Sequence, residues 1–254
     1  MSPLAIAAVF FTCMFAGTLL GSRLQLALPD HHLDPDSRDT MKLGVGLIAT
    51  LTALVLGLVT ADAKSSFQTM DLTMKTMTAN VLTLDRYLAQ YGTESQPIRQ
   101  NIKAVLTERV AQIFGDEAPP RTADTLLQQQ RGFEQLEAAV AALPATTDQQ
   151  TRFKAKALEA VDSVLKSRWM FLAQSNDMSL PLSFLGALAV WLTLIFCSFG
   201  LFAPRNRTVR TIMVACNFSV AGSIFLILEL SEPFKGIIHI SPNPMVMALE
   251  LMGR

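Results

Sequence analysis

The chain has 254 residues, of which 50% are hydrophobic and only 17% charged, and its mean hydropathy is +0.35. A water-soluble domain of this size carries about 25% charged residues. Its 21 basic residues cancel 21 acidic ones, and two Trp and two Tyr offer few stacking platforms, so nucleic acid is an unsuitable partner. Cys13, Cys197 and Cys216 stand far apart inside apolar runs, which excludes a disulfide framework and a cysteine metal cluster.

Four stretches, 2–22, 43–61, 178–204 and 211–228, contain no Asp, Glu, Lys or Arg. Each approaches or exceeds the roughly 17–25 residues with which a helix crosses a bilayer. The first has no basic residue ahead of it and is long for the apolar core of a signal peptide, so it reads as a retained span. The expected fold is all-α: an integral membrane protein with four transmembrane helices and an extramembrane helical bundle inserted between spans two and three.

The bundle is expected from a change of character over 62–177, which holds 13 of the 21 basic residues. Phe67, Met70, Met74, Met77, Val81, Leu84, Leu88 and Tyr91 recur at spacings of three and four, the seam of a packed helix. No Gly or Pro interrupts 58–91, so one helix is expected to run from the second span to Tyr91 and stop at Gly92. Ser95 ahead of Pro97 starts a second helix, with Ile98, Ile102, Val105, Val110 and Ile113 inward. Gly115-Asp116-Glu117-Ala118-Pro119-Pro120 is a loop. A third helix begins near Thr122, turns Leu126, Gln129, Phe133, Leu136, Val140 and Leu143 to one side, and closes at Pro144. Thr147 and Gln150 form a capping-box pair for a fourth, whose seam is Phe153, Leu158, Val161, Leu165, Trp169 and Leu172. Asn176-Asp177 and Pro181 break the chain before the third span, with Ser179 as a cap. Ser241-Pro242-Asn243-Pro244 caps a short amphipathic helix, 245–251, placed on the membrane or on the bundle. The expected organisation is two spans in 1–62, the bundle in 63–177, two spans in 178–230 and an interfacial tail in 231–254.

Orientation follows from the basic loops. Arg205, Arg207 and Arg210 crowd the connection between spans three and four, and Arg23, Arg38 and Lys42 lie between spans one and two. Short basic loops stay in the cytoplasm, which puts both termini and the bundle on the far side. Asp30, Asp34, Asp36 and Asp39 dilute the first loop but weigh little in that rule.

The ending Leu228-Glu229-Leu230-Ser231-Glu232-Pro233-Phe234-Lys235-Gly236-Ile237-Ile238-His239-Ile240-Ser241 resembles the membrane-exit motif of the bestrophin-like family. In that family, mostly bacterial membrane proteins of unknown function, an acidic residue after the last span precedes Pro-Phe-x-Gly and an apolar run ending in Ser. Ala61-Asp62-Ala63 and Thr78-Ala79-Asn80 occur in the same order as in the family, between two N-terminal and two C-terminal spans. The resemblance implies a bacterial inner-membrane protein, and its name points to the bestrophins, which are pentameric anion channels. Residues 43–61 contain no aromatic side chain, so the aromatic constriction of true bestrophins has no counterpart in span two.

The candidate site residues are those of the exit motif, Glu229, Glu232, Pro233, Phe234 and Gly236, together with Asn217, an amide within the last span. The glutamates read as interfacial anchors in preference to a ring of charge at an ion entry. Pro233 stops the helix and Gly236 supplies the turn. Thr50, Thr52, Ser183, Thr193, Ser198, Ser219 and Ser223 read as packing hydroxyls. Asp30-His31-His32-Leu33-Asp34-Pro35-Asp36 reads as a solvated loop in preference to a metal site, and His239 as an interfacial histidine. The span interiors lack the charges that mark proton-coupled transport. No phosphate loop, metalloprotease motif, nucleophile elbow or dinucleotide fingerprint occurs, so neither an enzyme nor a cofactor is expected. Two functions fit: a homo-oligomeric channel in the lipid bilayer, or a sensor or scaffold whose bundle binds a ligand or an unidentified partner protein.

Overall fold

The structure is a computed structural model that describes residues 2–29, 35–115, 123–176, 181–204, 206–234 and 236–252; the side chains of 35–37, 123–130, 175–176 and 182 are outside the description. His31, His32, the loop residues 116–120, Thr122, Ser179, Arg205 and Lys235 therefore lie outside the described residues, as do the side chains of Leu126 and Gln129. The described residues are all-helical, without strands. In chain order they form α1 (Pro3–Ala27), α2 (Pro35–Tyr91), a 3-10 turn (Thr93–Ser95), α3 (Gln96–Phe114), α4 (Ala123–Ala141), α5 (Asp148–Asn176), α6 (Leu182–Phe202), α7 (Arg207–Leu230) and α8 (Asn243–Leu251). Four of them, α1, α2, α6 and α7, are long and apolar enough to cross a membrane. The chain divides into two compact units, one of 1–67 with 178–232 and one of 68–177 with 233–254.

The first unit is organised on α1, which packs against α6 and α7. Phe10 and Met14 of α1, Leu185, Leu188, Leu192 and Phe196 of α6, and Ala221, Ile224 and Leu228 of α7 form its core. Two helix backbones meet here because glycines let them. A methyl group built on Gly17 would stand 2.7 Å from the Thr193 carbonyl oxygen, and one on Gly21 would collide with the Cys197 carbonyl. Reciprocally, one on Gly200 would collide with the Thr18 carbonyl. Residue numbers rise together along this contact, so α1 and α6 run parallel. The Gly17-x-x-x-Gly21 spacing is the small-residue pattern of closely packed membrane helices.

The second unit is the bundle. Met74, Leu84, Leu88 and Tyr91 of α2 are buried with Ile102 and Leu106 of α3, Val140 of α4, Leu143 just beyond it, and Ala157, Ala160 and Val161 of α5. The α2 seam is the one its periodicity predicts, with Met70 also buried and Met77 and Val81 packed at its edge. Gly92 ends the helix at φ 136°, a conformation that glycine adopts freely. Ser95 does not cap α3; its hydroxyl turns back to the Leu88 and Gly92 carbonyls at the end of α2. Thr147 does cap α5, accepting from Gln150 N at 3.2 Å, while the Gln150 side chain reaches Thr146 N in place of Thr147 N.

Two seam residues differ from expectation. On α3 the inward stripe steps by four, Ile98, Ile102, Leu106 and Val110, which leaves Val105 exposed. On α5 the buried stripe is Ala157, Ala160, Val161, Val164 and Arg168, and Trp169 is 54% exposed. Small alanines allow close approach early in α5, and the stripe that follows them carries the arginine inward one residue before the tryptophan.

Polar side chains bind the bundle helices together. Asp85 of α2 is 1% exposed and takes a two-pronged bond from Arg99 of α3, Nε to Oδ1 at 2.7 Å and Nη2 to Oδ2 at 3.1 Å. That bond raises the Arg99 pKa, with burial opposing it. Asn80 Nδ2 donates to Ser167 Oγ at 2.7 Å and to the Ser163 carbonyl at 3.2 Å, tying α2 to α5. The tail belongs to this unit: Met245, Ala248 and Met252 are core residues, so the short C-terminal helix lies on the bundle. Arg86 and Lys103 donate to the carbonyls of Leu251 and Met252, where a helix end favours positive charge.

Candidate functional site

Asn217 is fully buried on α7, nearly three turns along the helix from its start at Arg207 and facing α1. Its Nδ2 donates to the Met213 carbonyl at 3.0 Å and is 3.4 Å from Thr18 Oγ1 on α1. The Thr18 hydroxyl in turn donates to the Met14 carbonyl at 3.0 Å. Asn217 Oδ1 has no partner among the described residues. The amide therefore bridges two membrane-length helices beside the Gly17–Gly21 contact. Thr193 and Ser198, by contrast, bond carbonyls of their own helix, those of Ala189 and Leu194.

The exit motif is built stepwise. Ser231 caps α7, its N–H and hydroxyl both bonding the Ile227 carbonyl, and Glu232 N donates to the Glu229 carbonyl at 3.1 Å. Glu229 is 4% exposed, whereas Glu232 is exposed. The glutamates thus have different environments although they stand three residues apart. Pro233 is buried, and its carbonyl accepts from Ile240 N at 2.8 Å, closing a loop around Gly236. Gly236 has φ +91°, so the turn requires the backbone freedom expected of it. Phe234 fills the bundle, its ring 6.1 Å from Phe114 and 5.7 Å from Phe171. His239 is exposed. The described contacts of the motif are those of a closed turn at the start of the tail, the geometry a structural latch requires.

Two substitutions separate this latch from an ion-binding role. Gly236→Val forces a branched side chain to positive φ and is expected to cost about 2 kcal/mol. Glu232→Gln changes an exposed group and should alter stability by under about 0.5 kcal/mol. Thermal denaturation of the two variants measures both. A Gly236→Val protein melting like the parent would refute the latch.

The remaining candidate surface is α2 over the span. Thr52 and Ala63 are buried and Leu56 and Val59 half-buried, a narrow stripe from which Leu56 packs on the core of α1, α6 and α7. Opposite lies a leucine ridge, Leu43, Leu47, Leu51, Leu54 and Leu58, with exposures from 48% to 77%. Beside the ridge Gly46, Thr50, Ala53 and Gly57 form an exposed face of small residues, and nothing lies within 4 Å of where a Cβ on either glycine would sit. Of these four only Thr50 stands out in the sequence, as a packing hydroxyl; the others share its face through spacings of four, three and four. Among the described residues no group of three or more His, Cys, Asp or Glu could hold a metal, and the cysteines are free.

A family model described as the Bestrophin-like domain matches residues 12–245, nearly the whole chain, and the chain belongs to that family. No curated protein and no solved structure matches it.

Proposed function

We propose that this bestrophin-like protein is a multi-pass protein of the bacterial inner membrane whose spans assemble with those of further copies into an oligomeric ion channel. The carrying observation is the outward face of α2, where glycines and a leucine ridge lie open along the length of a bilayer crossing. Lipid gains nothing from glycine, whereas small residues let neighbouring helices approach closely. With α2 about the assembly axis, Gly46, Thr50, Ala53 and Gly57 line a narrow passage with no fixed charge. Selection in such a passage rests on hydroxyl and dewetting barriers in place of a charged ring. The family's link to the bestrophins, which are pentameric anion channels, supports the same reading. Particle images of the protein in lipid nanodiscs test it: a closed ring is expected, and isolated monomers at every concentration would defeat it.

In this reading 68–177 stands outside the membrane on the extracytoplasmic side, and Arg205, Arg207 and Arg210 are cytoplasmic. The parallel run of α1 and α6 supports four successive crossings, of which they would be the first and third. Cysteines introduced at Gly115 and Asn206 in a background lacking the native three should react with an impermeant thiol reagent from outside only at 115. Reaction at 206 alone would invert the orientation.

The competing sensor reading has a groove in the bundle lined by Asn80, Thr83, Tyr87, Lys156, Glu159 and Ser163. Its volume of about 180 Å³ is below the roughly 300 Å³ at which small-molecule sites begin.

A further inference from the structure

Arg168 is the one residue on the buried stripe of α5 whose charge the described chain does not answer. It is 7% exposed, and its Nη1 is buried without a hydrogen-bond partner among the described residues. Its guanidinium carbon lies 4.9 Å from the Phe133 ring centroid on α4 and 5.5 Å from that of Trp169. Those rings attract the cation but offer no acceptor to its buried Nη1. The charged neighbour that acts on it is a second cation, Arg109 of α3; burial first and that positive charge second lower its pKa. Arg109 is itself half-buried, which lowers its own pKa against the opposing charge of Glu108. One of its nitrogens donates to Gln112 Oε1 at 3.1 Å, and Gln112 donates in turn to Glu108 at 2.8 Å.

Elsewhere the bundle answers its inward cations directly. Arg99 has Asp85, and Arg86 and Lys103 have helix-end carbonyls. A buried guanidinium nitrogen without an acceptor is costly, and a second positive charge in its surroundings adds repulsion. An anion bound to Arg168 offsets both penalties at once.

We propose that Arg168 and Arg109 form an oxyanion site between α3, α4 and α5 that binds a phosphate group, either free phosphate or the headgroup of an anionic phospholipid. Guanidinium forks match the oxygen geometry of phosphate, and its charge of one to two offsets both arginines. Phe133 walls the site and lowers its dielectric, which strengthens the charge-assisted bonds. Trp169 and Met170 are exposed alongside, an apolar rim next to the charged floor. The site is independent of whether the protein conducts.

The test uses the full chain carrying Trp191→Phe, which leaves Trp169 as the only tryptophan. Inorganic phosphate is titrated in detergent at constant ionic strength, with Trp169 fluorescence and melting temperature as readouts. In parallel, nanodiscs of phosphatidylglycerol are compared with nanodiscs of phosphatidylcholine. A saturable fluorescence change and a raised melting temperature with phosphate identify the free ion; a rise of several degrees in phosphatidylglycerol alone identifies the headgroup. In either case Arg168→Gln should abolish the response and Arg109→Gln should weaken it at least tenfold. Arg109 is half-buried, so its variant carries the test if Arg168→Gln does not fold. Arg168→Lys keeps the charge but loses the fork, and is expected to fold and to bind more weakly. No response to either probe, or an equal response in the parent and in Arg109→Gln, overturns the proposal.

Discussion

Gly21→Ala is expected to destabilise the protein, although adding a methyl to a helical glycine ordinarily stabilises by about 0.5–1 kcal/mol. The added carbon has no space: it falls on the Cys197 carbonyl, and the Leu201 backbone nitrogen is 2.9 Å away. Neither obstacle is a flexible side-chain tip, so α1 and α6 must separate along their length. Separation loosens Phe10, Met14, Leu192 and Phe196 together and stretches the Asn217–Thr18 contact. Overpacking of this kind costs about 1–3 kcal/mol, and the backbone location places it at the upper end. Gly186→Ala on α6 is the control, because nothing lies within 4 Å of its added carbon. Thermal denaturation in a single detergent should show a clear loss for Gly21→Ala and none for Gly186→Ala. Equal melting of the two would show that the helices do not touch as described.

The second large effect concerns Asp85 and Arg99. Removing one partner of a buried ion pair leaves an uncompensated charge and costs about 3–5 kcal/mol. Asp85 is 1% exposed and the Arg99 side chain 12%, so solvent cannot take over the role of the guanidinium. Arg99→Ala should therefore unfold the bundle at markedly lower temperature. Replacing both residues, as Asp85→Leu with Arg99→Met, removes the desolvation penalty as well and should recover most of the loss. Helical content followed by circular dichroism distinguishes them. A double variant as unstable as Arg99→Ala would mean that the pair positions the helices in a way apolar packing cannot replace.

The Asp85–Arg99 pair could not be read from the chain, since the two residues are 14 apart across a turn whose geometry no local rule fixes. The Met70–Tyr91 seam could be read, because one long helix keeps a single period and its apolar side has one face to cover. The period also located the α5 seam at Val161 but mistook its far end. Hydrophobicity favours Trp169 over Arg168, and only the approach of α3 and α4 decides which of two neighbours turns inward. Gly17 and Gly21 are written plainly as a small-residue motif, yet their significance depends on Thr193 and Cys197, remote in sequence. At the exit motif, Gly236 was legible because a positive φ is a local property. The burial of Glu229 was not, since it depends on what packs around the end of α7. The outward face of α2 was hidden for another reason: in a span composed throughout of apolar and small residues, composition distinguishes no side.

Planar-bilayer recording of the purified protein reads conduction without an intermediary signal. Discrete currents are expected, persisting in Glu232→Gln and altered by Thr50→Val or Gly57→Leu on the exposed face of α2. Bilayers that remain at background in every salt, with protein verified as incorporated, would contradict a channel.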